Sequence, residues 1–593
     1  MDKQTIVGFV LIAAVLMVWM WTNAPKPGEH GPTTDTVATK AISAKRDTVP
    51  IPAKPKELTE TDTLGSTFAP LVGGREKVLI VKTDLYTAEV TTKGGLLRKW
   101  ELNKYKTWNK YPVQMVSPDR GGNYSLVFAT KEGKLVNTRS LQFNASFRPW
   151  ERIELKGEDS LSIDLALNVT PSSRIVKRFV FKNGQYTFQS RIEFVNMQDI
   201  IANYEYAITW ENGLPYAEHN SVNEAGFSQA YAFAGGEKTE LDASDAGVKV
   251  DEKFNGDVDW LAIRNKYFAV ALIPEQKGNN GFELEGINIP QENNGVRKEY
   301  SVFFKMPFKG NPQQSETMTV FLGPLDMEVI QPLNRNLEKI ISLGAAWVIR
   351  PIAEYILLPI FGLLKSFIPN FGIVIIVFSI LIKVALNPLS KTSMKSMKKM
   401  QALQPMMGEI REKYKDDQQK MNQQIMSLYK DYGVNPASGC LPLILQMPIL
   451  YALYNIFSSS IELRQAAFFG WITDLSIPDV LFTLPFKLPF FGINEFSGLA
   501  LAMGLTMFIQ QKMTVTDPRQ KMMVWMMPLM LTLLFNSFPS GLNLYYFVFN
   551  LLSIGQQYLT NKDVAKEPLK KIDPQKRKQG FLERLARNVP KVK

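Results

Sequence analysis

FGIVIIVFSILIKVALNPL, residues Phe371–Leu389, is an apolar run interrupted by a single charge, Lys383. A helix that crosses a bilayer needs about 17–25 predominantly apolar residues, so the run has spanning length. A cation near mid-membrane costs about 2.5–3.5 kcal/mol on insertion scales, and a chain tolerates that only where the charge reaches water or has work to do. Two environments meet the requirement. Lys383 lies six residues before Leu389, roughly 9 Å along a helix, so its ammonium can snorkel to the inner interface. Alternatively, a hydrated cavity open to the inside holds it. Ser379, Lys383 and Asn387 follow i, i+4, i+8 spacing and share a face, which favours the cavity.

Working outward, five more apolar runs have spanning length: Thr5–Thr22, Cys440–Ser458, Phe496–Met513, Met522–Phe538 and Gly541–Tyr558. The expected fold is a polytopic α-helical membrane protein with six transmembrane helices. Positive charge tests the arrangement. The loop after the second crossing carries nine Lys/Arg between Lys391 and Lys430, the loop after the fourth carries Arg519 and Lys521, and the tail Lys562–Lys593 holds eleven Lys/Arg against four Asp/Glu. All three fall on one side if the six spans are right, which puts both termini in the cytoplasm and 23–370 outside. Thr5–Thr22 also resembles a signal peptide, but it is long for a signal core and a retained anchor is expected. Ile340–Ile368 is apolar but broken by Arg350, Glu354, Lys365, Pro351 and Pro359. As a span it would reverse every later loop, so an amphipathic helix in the outer interface is expected.

The external half is different in texture. Residues 24–74 are rich in Pro, Thr, Lys and Ala and read as a flexible linker. From Lys77 to about Met327, short alternating segments (VLIVKT, YTAEVTT, SLVFA, FVFKN, YTFQSRIEFVN, YFAVALI, YSVFFKM, TMTVFLG) predict one large antiparallel β sandwich. The organisation is thus an anchor at 1–23, a linker at 24–74, an all-β domain at 75–330, an interfacial helix at 331–369, a five-helix core at 370–560 and a basic tail at 561–593. Within the core, 390–437 reads as a cytoplasmic helical hairpin. Leu403, Met407, Ile410 and Tyr414 form one heptad stripe, and Met421, Ile425, Leu428 and Tyr432 a second. Asp416-Asp417 marks the turn and the second helix start, and Pro405 kinks the first helix or bounds its regular part.

Two histidines, far apart, and one cysteine, Cys440, leave no metal site, disulfide framework or triad, and no cofactor is expected. Sixteen of the 24 methionines follow residue 390. Most should seal the hairpin, while Met406, Met522, Met523, Met526 and Met527 are candidates for contact with a passing apolar chain, because thioethers adapt to varied partners. Polar residues recur on the membrane helices: Gln446, Thr506 and Gln510, Thr532 and Asn536, then Asn543, Tyr546, Asn550, Ser553 and Gln557 at 3-4-3-4 spacing. Lipid offers no hydrogen bonds, so these stripes should face each other or water. Interhelical bonding accounts for Asn550, Ser553 and Gln557.

VNPASGCLPLILQMPILYALY (Val434–Tyr454), IELRQAAFFGWITDLS (Ile461–Ser476), TVTDPRQKMM (Thr514–Met523) and FPSGLNLYYFVFNLLSIGQQ (Phe538–Gln557) resemble the membrane protein insertases of the YidC/Oxa/Alb family, Gram-negative type. The resemblance covers essentially the whole chain. It implies a five-helix core around a hydrophilic groove open to cytoplasm and lipid, with a positive residue in its first helix. Lys383 holds that position where the family usually has arginine, a change that keeps the charge and loses the planar fork. Ser379 would face the groove and Tyr546 would contact substrate. Together with Asn387, Gln446, Thr532 and Asn536 these make the expected groove. The external domain would be a periplasmic supersandwich like the sugar mutarotases, with no enzyme activity implied. The implied partners are nascent membrane proteins, the ribosome (with RNA contact by the basic tail), the Sec translocon, the signal recognition particle pathway and the phospholipid bilayer of the inner membrane. Two rival classes are a membrane-anchored carbohydrate-binding protein and a solute transporter. The helices lack the paired charges and inverted repeats that transporters often show.

Overall fold

The computed structural model describes residues 60–341, 343–344, 348–434, 441–488, 492–515, 521–564 and 571. The expected anchor Thr5–Thr22 and nearly all of the basic tail lie outside the described residues. The chain divides into two compact units at Ile341.

The first unit is all-β, as the alternating segments predict. Strands Ser160–Asn168, Arg174–Lys182 and Thr187–Val195 alternate buried and exposed residues along their length, the period that puts one face on a core. They form one edge of an eight-stranded antiparallel sheet whose inner strands, Trp260–Arg264 and Phe268–Pro274, are buried on both faces. A six-stranded sheet is centred on Val296–Pro307 and Ile201–Trp210, and a five-stranded sheet ends in a parallel pairing, Val78–Lys82 with Glu151–Glu154. The core is aromatic: Tyr86 stacks on Trp100 at 3.7 Å, Tyr124, Phe179 and Phe188 meet edge to face, and Phe181 stands edge-on to Phe179.

Order begins earlier than the linker boundary at 74 suggests. Helix Glu60–Phe68 ends with Phe68 fully buried against Phe128, and Glu132 accepts from the Ser66 amide and the Thr67 hydroxyl. Pro- and Thr-rich composition hides this single anchoring aromatic. At the other end, the buried Arg264 guanidinium donates to the carbonyls of Asn265, Lys266 and Ile340 at 2.9–3.0 Å, which ties the exit of the chain to the sheet.

The second unit is helical. Residues 349–367 form a helix broken by a π turn at Ala353–Leu357; Pro359 has no N–H for the Tyr355 carbonyl, so the regular ladder cannot run through. This is shorter than the stretch 331–369 read as an interfacial helix, because 331–340 pack as short 3-10 turns in the β unit. Five core helices follow where apolar runs were expected: Phe371–Ala385, Leu441–Ser459, Gly498–Thr514, Lys521–Phe535 and Ser540–Val564. Among the described residues no single helix is long and apolar enough to cross a membrane. The run Phe371–Leu389 stops being straight at Leu386, and Phe371–Ala385 meets Asn387–Ala402 at a 62° bend; only this bent pair has the length and composition together. Pro388 at the start of the second helix explains the break.

The hairpin forms two helices, but its seam takes only part of each expected stripe: Ile410, Tyr414 and Met421 are not in it, and Tyr429 and Val434 are. Asn387–Ala402 ends at Leu403, and Gln404–Lys413 starts with Pro405 in its first turn, so the proline bounds the helix. Asp417 caps Gln418–Asp431 by accepting from the Lys420 amide at 3.0 Å. Leu403, Met407, Tyr429, Tyr432 and Val434 make the sealed core, with Met400, Met406, Ile425 and Leu428 packed against it.

Two buried titratable groups in the β unit set a pH dependence. Burial pushes the Glu224 carboxyl up to about 8 from an ordinary 4.5, although it accepts from the Ala217 and Glu218 amides. Burial pushes the Lys177 ammonium, which donates to the carbonyls of Gly94, Gly95 and Tyr124, down to about 7 from 10.5. Between pH 4.5 and 8 the folded unit keeps a proton on Glu224 that the unfolded chain releases, so stability falls as pH rises. Between pH 7 and 10.5 the unfolded chain keeps a proton that folded Lys177 has lost, so stability rises. We expect Glu224→Gln to flatten the acid-side fall and leave the alkaline rise, measured as the thermal midpoint of the β unit across pH; an unchanged acid-side slope would show that Glu224 is not its source.

Candidate functional site

Helix Ser540–Val564 packs most extensively against Gly498–Thr514 and Phe371–Ala385. Its polar stripe is turned into these contacts: Asn543, Asn550, Ser553 and Gln557 are all buried. Lys383, only 7% exposed, meets this stripe. Its ammonium donates to Ser553 Oγ at 2.7 Å and lies 4.6 Å from the centroid of the Phe549 ring, a cation–π arrangement. Ser553 Oγ in turn donates to the Phe549 carbonyl at 2.8 Å. One turn on, Asn387 Oδ1 accepts from Gln556 Nε2 at 2.5 Å. Among the described residues Lys383 has no carboxylate partner, and the buried Asn550 Nδ2, one turn before Ser553, has no acceptor. The ammonium therefore points into the helix pair, and its charge is answered only by a hydroxyl and a ring face.

The other expected groove residues do not converge on Lys383. Ser379 is fully buried and donates to the Ile375 carbonyl of its own helix at 2.6 Å. Thr532 Oγ1 donates to the Pro528 carbonyl at 2.7 Å and sits against Gly504, where an added Cβ would lie 1.9 Å from it. Asn536 belongs to a polar knot at the start of Gly498–Thr514. Its Oδ1 accepts from the Ser497 amide at 2.8 Å and its Nδ2 donates to the Glu495 carbonyl at 2.7 Å. Tyr546 packs edge-on against Phe535 and Tyr545, and Gln446 is half-buried. Of the methionines, Met406 packs against the hairpin core, Met527 accepts from Gln511 Nε2, and Met522 and Met526 are exposed. The Met523 side chain lies outside the described residues.

Asp479 is the residue the sequence reading left unassigned. It is buried and accepts from the Trp471 indole at 2.8 Å, the Leu499 amide at 2.9 Å and the Ser497 hydroxyl at 2.5 Å. A carboxylate at the N-terminus of Gly498–Thr514 is favourably placed against the helix dipole. Its position before Ser497, the N-cap of that helix, gave no periodic signal.

Residues 79–355 match the family model described as the YidC periplasmic domain, and residues 363–567 match the one described as 60Kd inner membrane protein. The chain is 36% identical over 592 residues, covering 98% of itself and 100% of its relative, to a membrane protein insertase YidC of Chlorobium luteolum. It is 37% identical over 573 residues, covering 96% of each, to a protein of the same description in Chlorobaculum parvum. Among solved structures it is similar to an active YidC insertase at 20% identity and a TM-score of 0.35, covering 82% of this chain and 95% of that one.

The contact between Gly504 and Thr532 is testable by itself. Alanine improves helix propensity over glycine by about 1 kcal/mol, whereas overpacking costs about 1–3 kcal/mol, and a 1.9 Å approach puts Gly504→Ala at the costly end. We expect Gly504→Ala to lower the melting temperature in detergent and Thr532→Ala to restore it. Equal melting of both single variants and the double would mean the two helices do not meet here.

Proposed function

The chain belongs to the YidC membrane protein insertase family, and from that premise we propose that it inserts nascent membrane proteins by offering their polar segments the uncompensated charge of Lys383. The observation that carries this is a buried ammonium bonded, among the described residues, to uncharged groups alone. A substrate's polar tail must pass about 30 Å of hydrocarbon. A charge that lacks a counter-ion favours an anion beside it, so an acidic tail drawn toward Lys383 completes an ion pair partway across. The free Nδ2 of Asn550 adds a hydrogen-bond donor on the same side of the stripe. The process breaks no covalent bond.

An apolar segment then leaves along the lipid-facing helices. Met447, Met522, Trp525, Met526 and Leu529 are exposed apolar side chains on Leu441–Ser459 and Lys521–Phe535, which supports that route. The hairpin Asn387–Asp431 and the basic tail face the cytoplasm in this reading, with both termini there and the β unit in the periplasm. Charge distribution supports the orientation. The hairpin would receive chains from the ribosome, with the signal recognition particle pathway and the Sec translocon as further partners, and the tail would neutralise ribosomal RNA phosphates.

The test is insertion of a short single-span substrate with an acidic tail into liposomes holding only this protein, read by protease protection. We expect Lys383→Arg to retain insertion, Lys383→Ala to lower it severalfold and Lys383→Glu to lower it further. Equal insertion by all four proteins would demote Lys383 to a packing residue. Deleting 562–593 should weaken ribosome co-sedimentation most at low salt, and unchanged sedimentation would exclude the tail as a docking element.

A further inference from the structure

The five-stranded sheet of the β unit ends in the edge strand Pro112–Val116, joined to Leu96–Lys106 by a hairpin. Its tip reads NKYKTWNKYP, residues 103–112, with three lysines and no acid. Trp108 is 52% and Tyr111 69% exposed, and Lys104, Lys106 and Lys110 are exposed beside them. The tip is nevertheless tied by backbone hydrogen bonds. The Thr107 amide donates to the Tyr111 carbonyl at 2.7 Å, the Lys110 amide to the Thr107 carbonyl at 2.9 Å, and the Trp108 amide to Ala217 at 3.0 Å. The Trp108 ring stands edge-on to His219 at 4.6 Å. Two large aromatics are thus held out in water by backbone bonds, an arrangement that a loop selected only for solubility would not keep.

We propose that this hairpin tip docks on the anionic headgroup region of the membrane to which the chain is tethered. Trp and Tyr, with an apolar body and a polar edge, concentrate at membrane interfaces, and lysines beside an anionic surface add attraction. The β unit ends at Ile341, and a helix bearing exposed Tyr355, Ile356, Leu363 and Phe367 begins at Ile349. A tether that short keeps the local lipid concentration high, so a weak contact suffices. The docking rests on the membrane reading above but not on insertion activity.

The full chain carries one cysteine, Cys440. In a Cys440→Ser background, Asn109→Cys places an environment-sensitive fluorophore on the tip without touching its aromatics or lysines. Gln276→Cys labels an exposed turn beyond the far end of strand Phe268–Pro274, whose near end touches Tyr105. Leu505→Cys labels an exposed site on Gly498–Thr514 and reports whether the helical unit is in lipid. Each protein is reconstituted in phosphatidylcholine vesicles with or without phosphatidylglycerol and a headgroup-proximal spin-labelled lipid. Expected is stronger quenching at 109 than at 276, increasing with phosphatidylglycerol. Replacing Lys104, Lys106 and Lys110 by Gln should lower the docked-to-free ratio roughly fivefold per lysine, and Trp108→Ala should lower it too. Quenching at 505 with no excess at 109 would overturn the docking and leave the membrane reading intact. A tip shielded from an aqueous quencher but not reached by the lipid one would overturn it in favour of a protein partner. Absence of quenching at 505 would remove the membrane reading and the docking with it.

Discussion

A polar group placed among apolar neighbours must find its partner inside the protein, and in the helical unit that rule is concentrated on Ser540–Val564. Its stripe runs from Asn543, which donates to the Phe535 carbonyl at 3.1 Å, to Gln557, which donates to Thr514 Oγ1 at 2.9 Å. Between them Ser553 receives Lys383. Each bond reaches a different neighbour, so one helix face fixes the azimuth of several others. Gln401 adds a further tie, from the hairpin's first helix to the carbonyls at the end of Gly498–Thr514. These bonds offset much of the cost of burying the amides and hydroxyls, and what stays open on the stripe is Asn543 Oδ1 and Asn550 Nδ2.

The β unit obeys the same rule with a different outcome. Lys177 has three carbonyls and two ring faces around it, and Arg264 has three carbonyls. Every nitrogen of these two groups reaches a backbone carbonyl, and what they hold is the backbone of the sandwich and its exit. Lys383 has one hydroxyl and one ring. The contrast separates a structural buried charge from one with capacity to spare, and it does so by partner count alone.

Much of this was legible along the chain. Alternation in FVFKN and YTFQSRIEFVN announced strands, Asp417 and Pro405 announced where the hairpin's helices begin, and the i, i+4, i+8 face of Ser379, Lys383 and Asn387 marked the helix that matters. Pairing across 170 positions was not legible: nothing local to Lys383 names Ser553, even though Ser553 stood in a recognisable stripe. Thr532 and Asn536 looked like groove residues because a hydroxyl and an amide one turn apart are equally suited to lining a cavity, spacing a helix pair or capping a loop. Only the neighbours Gly504 and Ser497 decide between these. The bend at Leu386 was not legible for a related reason. Hydropathy runs smoothly through Phe371–Leu389, but the helix ends where Pro388 withdraws a donor, a stereochemical event to which an apolarity average is blind.

The thioethers of the hairpin carry a chemical liability. Tyr429 Oη lies 3.3 Å from Met407 Sδ inside the sealed core, whereas Met522 and Met426 are open to solvent or lipid. Peroxide converts a thioether to a polar, chiral sulfoxide, which an apolar seam cannot accommodate. Surface sulfurs react directly, but Met407 reacts only while its two helices stand apart. Its oxidation is therefore a clock for how often the hairpin opens, and once oxidised the seam does not close in its original form until a reductase restores the sulfur.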